Sequence, residues 1–211
     1  MLSYIFFKRI GDFLSASLGL IILIPIIGTV TIVSLFIYDG QPFFFQKRAG
    51  FKEKAFWIVK FKTMTNALDK NGELLSDADR LNKWGSFLRK SSLDEIPQLF
   101  NVVKGDMSII GPRPLMINYL PYYSSEEKKR HEVLPGITGL AQINGRNTID
   151  WDNKLKYDCQ YVKNLSFIND LKILWKTVIN VISSKDVIID TYTVEPDFDE
   201  YRKEQKKNEK V

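Results

Sequence analysis

Residues 88–101 of the chain read LRKSSLDEIPQLFN, and residues 111–114, close behind them, read GPRP. In the first stretch the adjacent carboxylates Asp94 and Glu95 follow an arginine, and in the second an arginine stands between two prolines. Acids and arginines together suit a site where a carboxylate acts on a phosphate whose charge is offset by cations. The pattern therefore indicates a phosphate-handling site around these acids.

The acidic pair lies in what resembles the start of a helix. Ser92 followed three residues later by Glu95 has the form of a capping box. Pro97 is tolerated there because first-turn amides have no intrahelical partner to lose. The pattern predicts a helix that begins at Ser92, continues over residues 96–103 and stops at Gly105. An alternative interpretation is that both acids only cap the helix and complement its dipole.

Two arginines stand near the acids. Arg89 ends a helix predicted over residues 79–90, just before the acidic pair. Pro112 fixes its own φ, and Pro114 pushes Arg113 out of helical conformations, so Arg113 has little backbone freedom to lose. Its planar guanidinium can therefore offer a preorganised fork to phosphate oxygens. The alternative is a stiff connecting loop with an exposed arginine.

Two lysines lie on a predicted strand over residues 55–64, which is rich in β-forming residues. Alternation puts Lys60 and Lys62 on one face of the strand, with Trp57, Val59 and Phe61 on the other. Two lysines on one face can bind a diphosphate. A solvated strand face is the alternative.

The composition is that of a single domain with a substantial core, with 45% hydrophobic residues and a net charge of +5. The positive charge favours an anionic partner such as phosphate, anionic lipid or nucleic acid. A nucleic-acid partner is disfavoured, because the basic residues cluster beside apolar segments rather than in a recognised motif. The lone Cys159 agrees with a reducing cytosol, and with the single His131 it does not supply a zinc site.

The N-terminal segment is long and apolar. No charged residue occurs from Phe13 to Tyr38, which exceeds the about 20 residues that a straight helix needs to cross a bilayer. Pro25 lies at the midpoint, so we expect the helix to kink or break there. The segment is too long for a cleaved signal peptide and lacks a clear small-residue exit site.

Basic residues flank this segment on both sides: Lys8, Arg9, Lys47, Arg48, Lys52 and Lys54. The positive-inside rule then gives conflicting orientations for a spanning helix and no conflict for a hairpin that returns to the cytoplasm. We therefore expect a re-entrant helix-break-helix anchor over residues 1–40. A bitopic span is the second interpretation, and a buried helix of a soluble core is the least favoured.

The rest of the chain is interpreted as a cytosolic catalytic domain over residues 41–183 and a polar tail over 184–211, disordered from Asp197 onward. A turn projects Arg146, and a helix from Trp151 carries Asp158. The apolar, amphipathic stretch 165–182 fits either a membrane surface or the core. The predicted fold class is α+β and mostly helical: a re-entrant membrane helix-break-helix, a small cytosolic domain and interfacial amphipathic helices.

Six short motifs, in order, resemble those of the bacterial sugar transferase family: KFKTM at 60–64, SLDEIPQ at 92–98, KGDMS at 104–108, GPRP at 111–114, PGITG at 135–139 and NGR at 144–146. In length and layout the chain resembles the small monotopic phosphoglycosyl transferases of the PglC type. The likeness covers about residues 5 to 180. The chain departs from the family pattern at two places. The family often has Ser-Pro where this chain has Ile24-Pro25, and it often has arginine at the position of Lys62.

This resemblance implies an enzyme that moves a sugar 1-phosphate from a UDP-sugar to polyprenol (undecaprenyl) phosphate and releases UMP. The reaction is the first membrane step in making a glycoprotein, capsule or O-antigen, at the cytoplasmic face of the bacterial inner membrane. Membrane lipid and downstream glycosyltransferases are the implied partners. The alternative function is a non-catalytic membrane-surface module that binds anionic lipid.

The resemblance also implies roles for individual residues. Asp94 is the nucleophile that forms a covalent phosphosugar intermediate, and Mg²⁺ is bound at Asp94 and Glu95. Glu95 assists the metal or the polyprenol phosphate proton. The implied phosphate and substrate contacts are Lys60, Lys62, Arg89, Arg113, Arg146 and Asp158.

Overall fold

The computed structural model describes residues 2–145, 149–183 and 197–208. Its α-helices and strands are α1 (Leu2–Ile37), β1 (Phe43–Ala49), β2 (Ala55–Phe61), α2 (Asp77–Arg80), α3 (Lys83–Lys90), α4 (Gln98–Lys104), β3 (Ser108–Ile110), β4 (Gly136–Thr138), α5 (Leu140–Ile143), α6 (Trp151–Lys163), α7 (Phe167–Ile182) and α8 (Phe198–Asn208). Short 3-10 helices cover Phe51–Glu53, Leu93–Glu95, Ile117–Tyr122 and Glu127–Glu132. The predicted mostly helical α+β class is confirmed.

Helix α1 is one continuous helix with Pro25 inside it, so a break into two separate helices is not observed, and a kink at Pro25 stays a prediction. A proline removes only one main-chain donor, so the helix can continue on both sides of Pro25. By length and composition α1 is able to cross a membrane, and only 11% of its most apolar stretch is buried in the protein. A return to the same membrane face stays a prediction.

Both halves of α1 contact the rest of the protein. In the N-terminal half, Asp12 is buried and its Oδ2 accepts a hydrogen bond from Ser108 Oγ at 2.7 Å. In the C-terminal half, Ser34 is fully buried and its Oγ accepts a hydrogen bond from Trp84 Nε1 at 3.0 Å. Polar groups in an apolar helix are costly unless they are paired, so these two contacts fix how α1 lies along the domain.

The hairpin β1–β2 is antiparallel, with Phe43 opposite Phe61, and packs on α4. Asn101 of α4 joins the two elements: its Nδ2 donates to Trp57 O at 2.7 Å, and its Oδ1 accepts from Val59 N at 3.1 Å. The core between α1, β2 and α4 contains Ala16, Phe56, Ile58, Val102 and Met107. This packing places the end of β2 against the turn that precedes α4.

Strands β3 and β4 are short and parallel, with Ser108 opposite Gly136. A Cβ added to Gly136 would lie 2.1 Å from the main-chain nitrogen of Gly111, far inside van der Waals contact. Only glycine permits this close approach. The two glycines therefore let the loop at 111–114 leave β3 directly beside β4, which directs this loop toward the acidic pair.

The helix predicted over residues 79–90 is divided in two. Leu81 is extended and pairs with Met64 in an isolated bridge, and Asn82 then caps α3 by accepting from Gly85 N at 2.7 Å. The strand predicted over 55–64 ends at Phe61. The helix predicted from Trp151 is confirmed as α6.

Helix α7 has two unlike faces. Asp170 and Ile173 are buried against the domain, whereas eight large apolar side chains are exposed: Phe167, Ile168, Leu171, Leu174, Trp175, Val178, Ile179 and Ile182. One face therefore contributes to the core, and a wide apolar surface remains outside. Single exposed apolar residues are ordinary, but a contiguous set of this size is typical of an interaction surface.

The predicted disorder from Asp197 onward is wrong for residues 197–208, which contain helix α8. Phe198 is fully buried, where its ring stacks on Tyr123 at 5.1 Å and meets Tyr119 edge-on at 5.5 Å. Arg202 forms an ion pair with Asp152 at 3.1 Å. Composition predicted disorder because the segment is polar on average, but one aromatic anchor is enough to dock it.

Replacing Phe198 by alanine is expected to lower the free energy of unfolding by about 3–5 kcal/mol, because it leaves a cavity among packed aromatic rings. Urea denaturation followed by tryptophan fluorescence measures the change. Lys206→Ala, on an exposed position of the same helix, is the matched control and is expected to have little effect. Equal stabilities for Phe198→Ala and wild type would contradict the docking of α8.

Candidate active site

The acidic pair sits in a separate turn, not in the first turn of a long helix. Ser92 adopts a left-handed conformation (φ 56°) and its side chain makes no capping hydrogen bond, so the predicted capping box is wrong. Residues Leu93–Glu95 form a 3-10 turn, and α4 begins only after Pro97. Because Pro97 has no N–H, it stands at the helix boundary. Neither acid is used in capping.

Glu95 is held by two cations. Its Oε1 accepts from Lys60 Nζ at 2.6 Å and from Arg113 Nη2 at 2.8 Å, and its side chain is 20% exposed. Although burial favours the neutral acid, Arg113 and Lys60 hold the pKa of Glu95 well below its usual range. Glu95 is therefore ionised at neutral pH. Three residues that the sequence predicted as parts of one site lie in direct contact.

Asp94 has a different environment from its neighbour. It makes no hydrogen bond or ion pair with residues 2–145, 149–183 or 197–208. Burial and the charge of Glu95 raise the pKa of Asp94 to about 6, against the opposing effects of Lys60, Arg113 and Arg89. At pH 7 Asp94 is thus mostly ionised and more basic than an ordinary aspartate, as suits a group that reacts.

The other predicted cations lie around the same cleft. Arg89 Nε donates to Thr63 Oγ1 at 3.1 Å, and Lys62 Nζ donates to Gln41 Oε1 at 3.1 Å. Within the described part of the chain, neither is paired with a carboxylate. Their charges therefore remain available to a ligand.

The cleft has a volume of about 720 Å³. Its ionisable lining comprises six basic and three acidic side chains: Arg48, Lys60, Lys62, Arg80, Arg89, Arg113, Asp77, Asp94 and Glu95. An excess of positive charge in a confined cleft attracts anions carrying several charges. The lining also contains four aliphatic side chains, Ile96, Leu99, Ile137 and Val181, together with the polar Thr138, Gln142 and Thr177. The cleft thus offers apolar surface as well as positive charge.

Asp158 is not brought to the cleft. It lies in a buried ion pair, with Arg130 Nη2 2.7 Å from Asp158 Oδ2 and side-chain exposures of 2% and 3%. The same Nη2 also donates to the main-chain oxygen of Arg113 at 2.6 Å. The pair thus supports the loop that carries Arg113 instead of lining the cleft. Arg146, also predicted to contact substrate, lies outside the described residues.

The site contains residues that the sequence interpretation did not include: Arg48, Thr63 and Arg80 in the cleft lining, and Arg130 behind Arg113. Thr63 could have been found, since it lies directly after Lys62. The sequence pattern places Arg48 only in a basic flank of the membrane segment. Arg130 stands in a run of charged residues with no local pattern, and only its long-range contacts identify it.

A metal ion would have few protein ligands here. Among the described residues there is no group of three or more His, Cys, Asp and Glu side chains that could hold one. Mg²⁺, however, is commonly bound by one or two carboxylates together with phosphate oxygens of a substrate. Asp94 and Glu95 are adjacent carboxylates and fit that arrangement.

Comparisons with known proteins show the family of the chain. Residues 3–184 match the model of the bacterial sugar transferase family. The chain is 49% identical to the uncharacterised sugar transferase EpsL of Bacillus subtilis, over 85% of this chain and 89% of that protein.

Two relatives have more specific names. The chain is 37% identical to the undecaprenyl-phosphate galactose phosphotransferase of Salmonella typhimurium and 39% identical to the UDP-glucose:undecaprenyl-phosphate glucose-1-phosphate transferase of Klebsiella pneumoniae. The matches cover 81% and 82% of this chain but only 40% and 39% of those longer proteins. With the family model matched over most of its length, the chain is a member of the bacterial sugar transferase family.

Proposed function

We propose that this chain transfers a sugar 1-phosphate from a UDP-sugar to undecaprenyl or a related polyprenol phosphate, with Asp94 as a covalent nucleophile. The observation that carries the proposal is the contrast between two adjacent acids. Glu95 is paired with Lys60 and Arg113, whereas Asp94 has no ion pair within the described residues and has a raised pKa. The names of the Salmonella and Klebsiella relatives support the same reaction class.

In the first step, a carboxylate oxygen of Asp94 attacks the phosphorus that bears the sugar. The new bond is an acyl phosphate ester, and the bond between the two donor phosphates breaks, so that UMP leaves with the electron pair. Arg113 and Arg89 stabilise the negative charge on the phosphoryl oxygens. Covalent catalysis divides one difficult displacement into two easier ones.

In the second step, an oxygen of the polyprenol phosphate attacks the same phosphorus. The aspartyl–phosphorus bond breaks, Asp94 is regenerated as a carboxylate, and a polyprenol diphosphate sugar is formed. The aliphatic lining residues, Leu99 and Val181 among them, offer apolar surface that suits the lipid acceptor. A covalent intermediate lets a water-soluble donor and a membrane-bound acceptor use the cleft in turn.

Mg²⁺ is part of the proposal, with Asp94 and Glu95 as its protein ligands. When bound, the ion would neutralise charge on the diphosphate oxygens. Lys60 and Arg113 keep Glu95 ionised, and an ionised carboxylate is the form that binds a hard cation. The interaction of Lys60 with Glu95 therefore prepares a ligand as well as holding the turn.

The catalytic domain is proposed to lie on the cytoplasmic face of the inner membrane, with α1 as a monotopic anchor. Contacts of both halves of α1 with one domain support this, through Asp12 to Ser108 and through Ser34 to Trp84. Lys8 adds an ion pair to Asp170 at 2.7 Å. A helix with its two ends on opposite sides of a bilayer would be separated from the domain at one end.

Labelling of single cysteines tests this topology. In a Cys159→Ser background, Ser3→Cys and Asp39→Cys, at exposed positions near the two ends of α1, are both expected to react with a membrane-impermeant maleimide in inside-out vesicles and not in spheroplasts. Lys206→Cys reports the side on which the domain lies. Labelling of the two ends from opposite sides would establish a bitopic helix instead.

The reaction of Asp94 is expected to depend on pH. Without a metal ion the pKa of Asp94 is about 6, and Mg²⁺ bound at Asp94 would lower it. Because only the ionised acid attacks, the rate of UMP release should be constant above pH 7 and fall about tenfold per unit below an apparent pKa of 6 or less. Glu95, with its depressed pKa, stays ionised over this range. Single-turnover UMP release without acceptor measures the titration of Asp94 without any contribution from the titration of the acceptor phosphate. A rate that still rises between pH 7 and pH 8.5, or that rises as the pH is lowered below 6, would contradict this assignment.

The function itself is tested with purified protein, Mg²⁺, undecaprenyl phosphate and a panel of UDP-sugars. UMP release that requires the lipid acceptor for multiple turnovers, with a lipid-linked product detected by mass spectrometry, is the expected result. The alternative membrane-surface module would bind anionic vesicles but release no UMP from any donor. The panel also identifies the sugar.

A further inference from the structure

Arg48 is a cleft residue without an ion-pair partner among the described residues, although Asp197 acts on its charge from farther away. Its Nη2 donates to Gln46 Oε1 at 2.5 Å. Its Nε is buried and without a hydrogen-bond partner, and no carboxylate of the described chain lies within ion-pair distance of its guanidinium. Leaving a buried donor unsatisfied is unfavourable. A ligand oxygen that accepted a hydrogen bond from this guanidinium would therefore be stabilising.

The main chain places Arg48 beside Arg113. After the loop at 111–114, Met116 forms a bridge with Arg48, and Ala49 N donates to Leu115 O at 3.0 Å. The segment that carries Arg113 therefore runs along the edge of β1. Both arginines line the same cleft, and this arrangement depends on backbone pairing, which is more rigid than contact between flexible side chains.

The two arginines differ in how their charges are balanced. Arg113 is paired with Glu95 at 2.8 Å. Burial and the proximity of Arg113 lower the pKa of Arg48 to about 10, so Arg48 still carries its charge at pH 7. Two neighbouring guanidiniums repel each other, and here only Arg113 is paired with an anion. Such an arrangement is unfavourable in a partly buried cleft. A second anion between the two guanidiniums would remove that cost.

We propose that Arg48, beside Arg113, is a further phosphate-binding residue of this cleft and that it binds a phosphate group other than the one that bonds to Asp94. A guanidinium offers a planar fork that matches two phosphate oxygens. The inference rests on the proposed function, which brings two such phosphates to the cleft. One is the uridine-linked phosphate of the donor, and the other is the phosphate of the lipid acceptor.

Three variants test this inference: Arg48→Gln removes the charge, Arg48→Lys keeps the charge without the fork, and Lys47→Ala is the matched control. Lys47 is the exposed neighbour on β1, with its Nζ 5.2 Å from the centre of the Trp57 ring and outside the cleft lining. Two KM values are measured separately. UMP release without acceptor gives the KM for the UDP-sugar, and transfer from the isolated covalent adduct gives the KM for undecaprenyl phosphate.

Arg48→Gln is expected to raise one of these KM values about tenfold or more, with a smaller rise in Arg48→Lys and none in Lys47→Ala. A rise in the donor KM assigns Arg48 to the nucleotide phosphate, and a rise in the acceptor KM assigns it to the lipid phosphate. Both KM values within twofold of wild type in Arg48→Gln would overturn the inference. If Arg48→Gln does not fold, as judged by its thermal melt, Arg48→Lys takes its place. Both KM values of Arg48→Lys within threefold of wild type would then overturn the inference.

Failure of the proposed function is distinguishable from failure of this inference. If wild-type protein releases no UMP from any donor, the proposed function fails. Calorimetric titration with UMP and with inorganic pyrophosphate then tests whether Arg48 binds a phosphate group. At least tenfold weaker binding of either ligand to Arg48→Gln than to Lys47→Ala would support an anion site there. Equal binding to the two variants, or no binding to wild type, would overturn it.

Discussion

Replacing Asp94 with asparagine is expected to reduce UMP release by about 10⁴-fold or more and to eliminate the covalent adduct. The amide has nearly the same shape as the acid but no negative charge and little nucleophilicity. Because Asp94 has no ion pair among the described residues, its replacement leaves the Lys60–Glu95–Arg113 contacts in place. Intact-protein mass spectrometry after incubation with the donor alone detects the adduct, and a UMP assay measures turnover.

The matched control for this variant is Asp77→Asn. Asp77 is another acid of the cleft lining, but it is paired with Arg80 at 2.9 Å. Its replacement is expected to leave adduct formation intact. Asp94→Asn should also remain associated with membranes, since α1 is unchanged. Normal UMP release by Asp94→Asn, or an adduct mapped by peptide sequencing to another residue, would refute the nucleophile assignment.

Replacing Arg113 with alanine is expected to raise the activation barrier by about 3 kcal/mol, which is about a hundredfold in rate. Two effects combine: a fork for phosphate oxygens is lost, and Glu95 keeps only Lys60 as an ion-pair partner. The pKa of Glu95 should therefore rise, since Arg113 is one of the two groups that depress it. Single-turnover UMP release at saturating donor gives the rate. Its pH profile should shift upward, because Arg113 lowers the pKa of Asp94 as well as that of Glu95.

Arg113→Lys separates charge from geometry, because lysine restores a cation without the planar fork. We expect it to recover only part of the lost rate. Lys104→Ala, an exposed residue paired with Asp106 at the end of α4, controls for a change in net charge. A rate for Arg113→Ala within threefold of wild type would show that this guanidinium does not act on the reacting phosphate.

Much of the local structure was predictable from the sequence because it depends on neighbouring residues. The apolar run of α1, the β-forming residues of β2 and the periodicity of α6 are each readable in one window. Arg113 between prolines and the acids at 94 and 95 identified the site by residue type. The same local reasoning was wrong where distant contacts prevailed: at Ser92, at the division of α2 from α3, and at α8, whose Phe198 finds an aromatic pocket.

The sequence by itself determined which chemistry is present: adjacent carboxylates, a stiff arginine and an apolar N-terminal helix follow from residue types and their spacing. Only the tertiary structure decided which of these groups interact. It paired Glu95 with Lys60 and Arg113, left Asp94 unpaired among the described residues, and moved Asp158 to Arg130 behind the loop. The physical reason is that an ion pair depends on distance in space, and no local pattern contains the packing that brings residues 60, 95 and 113 together.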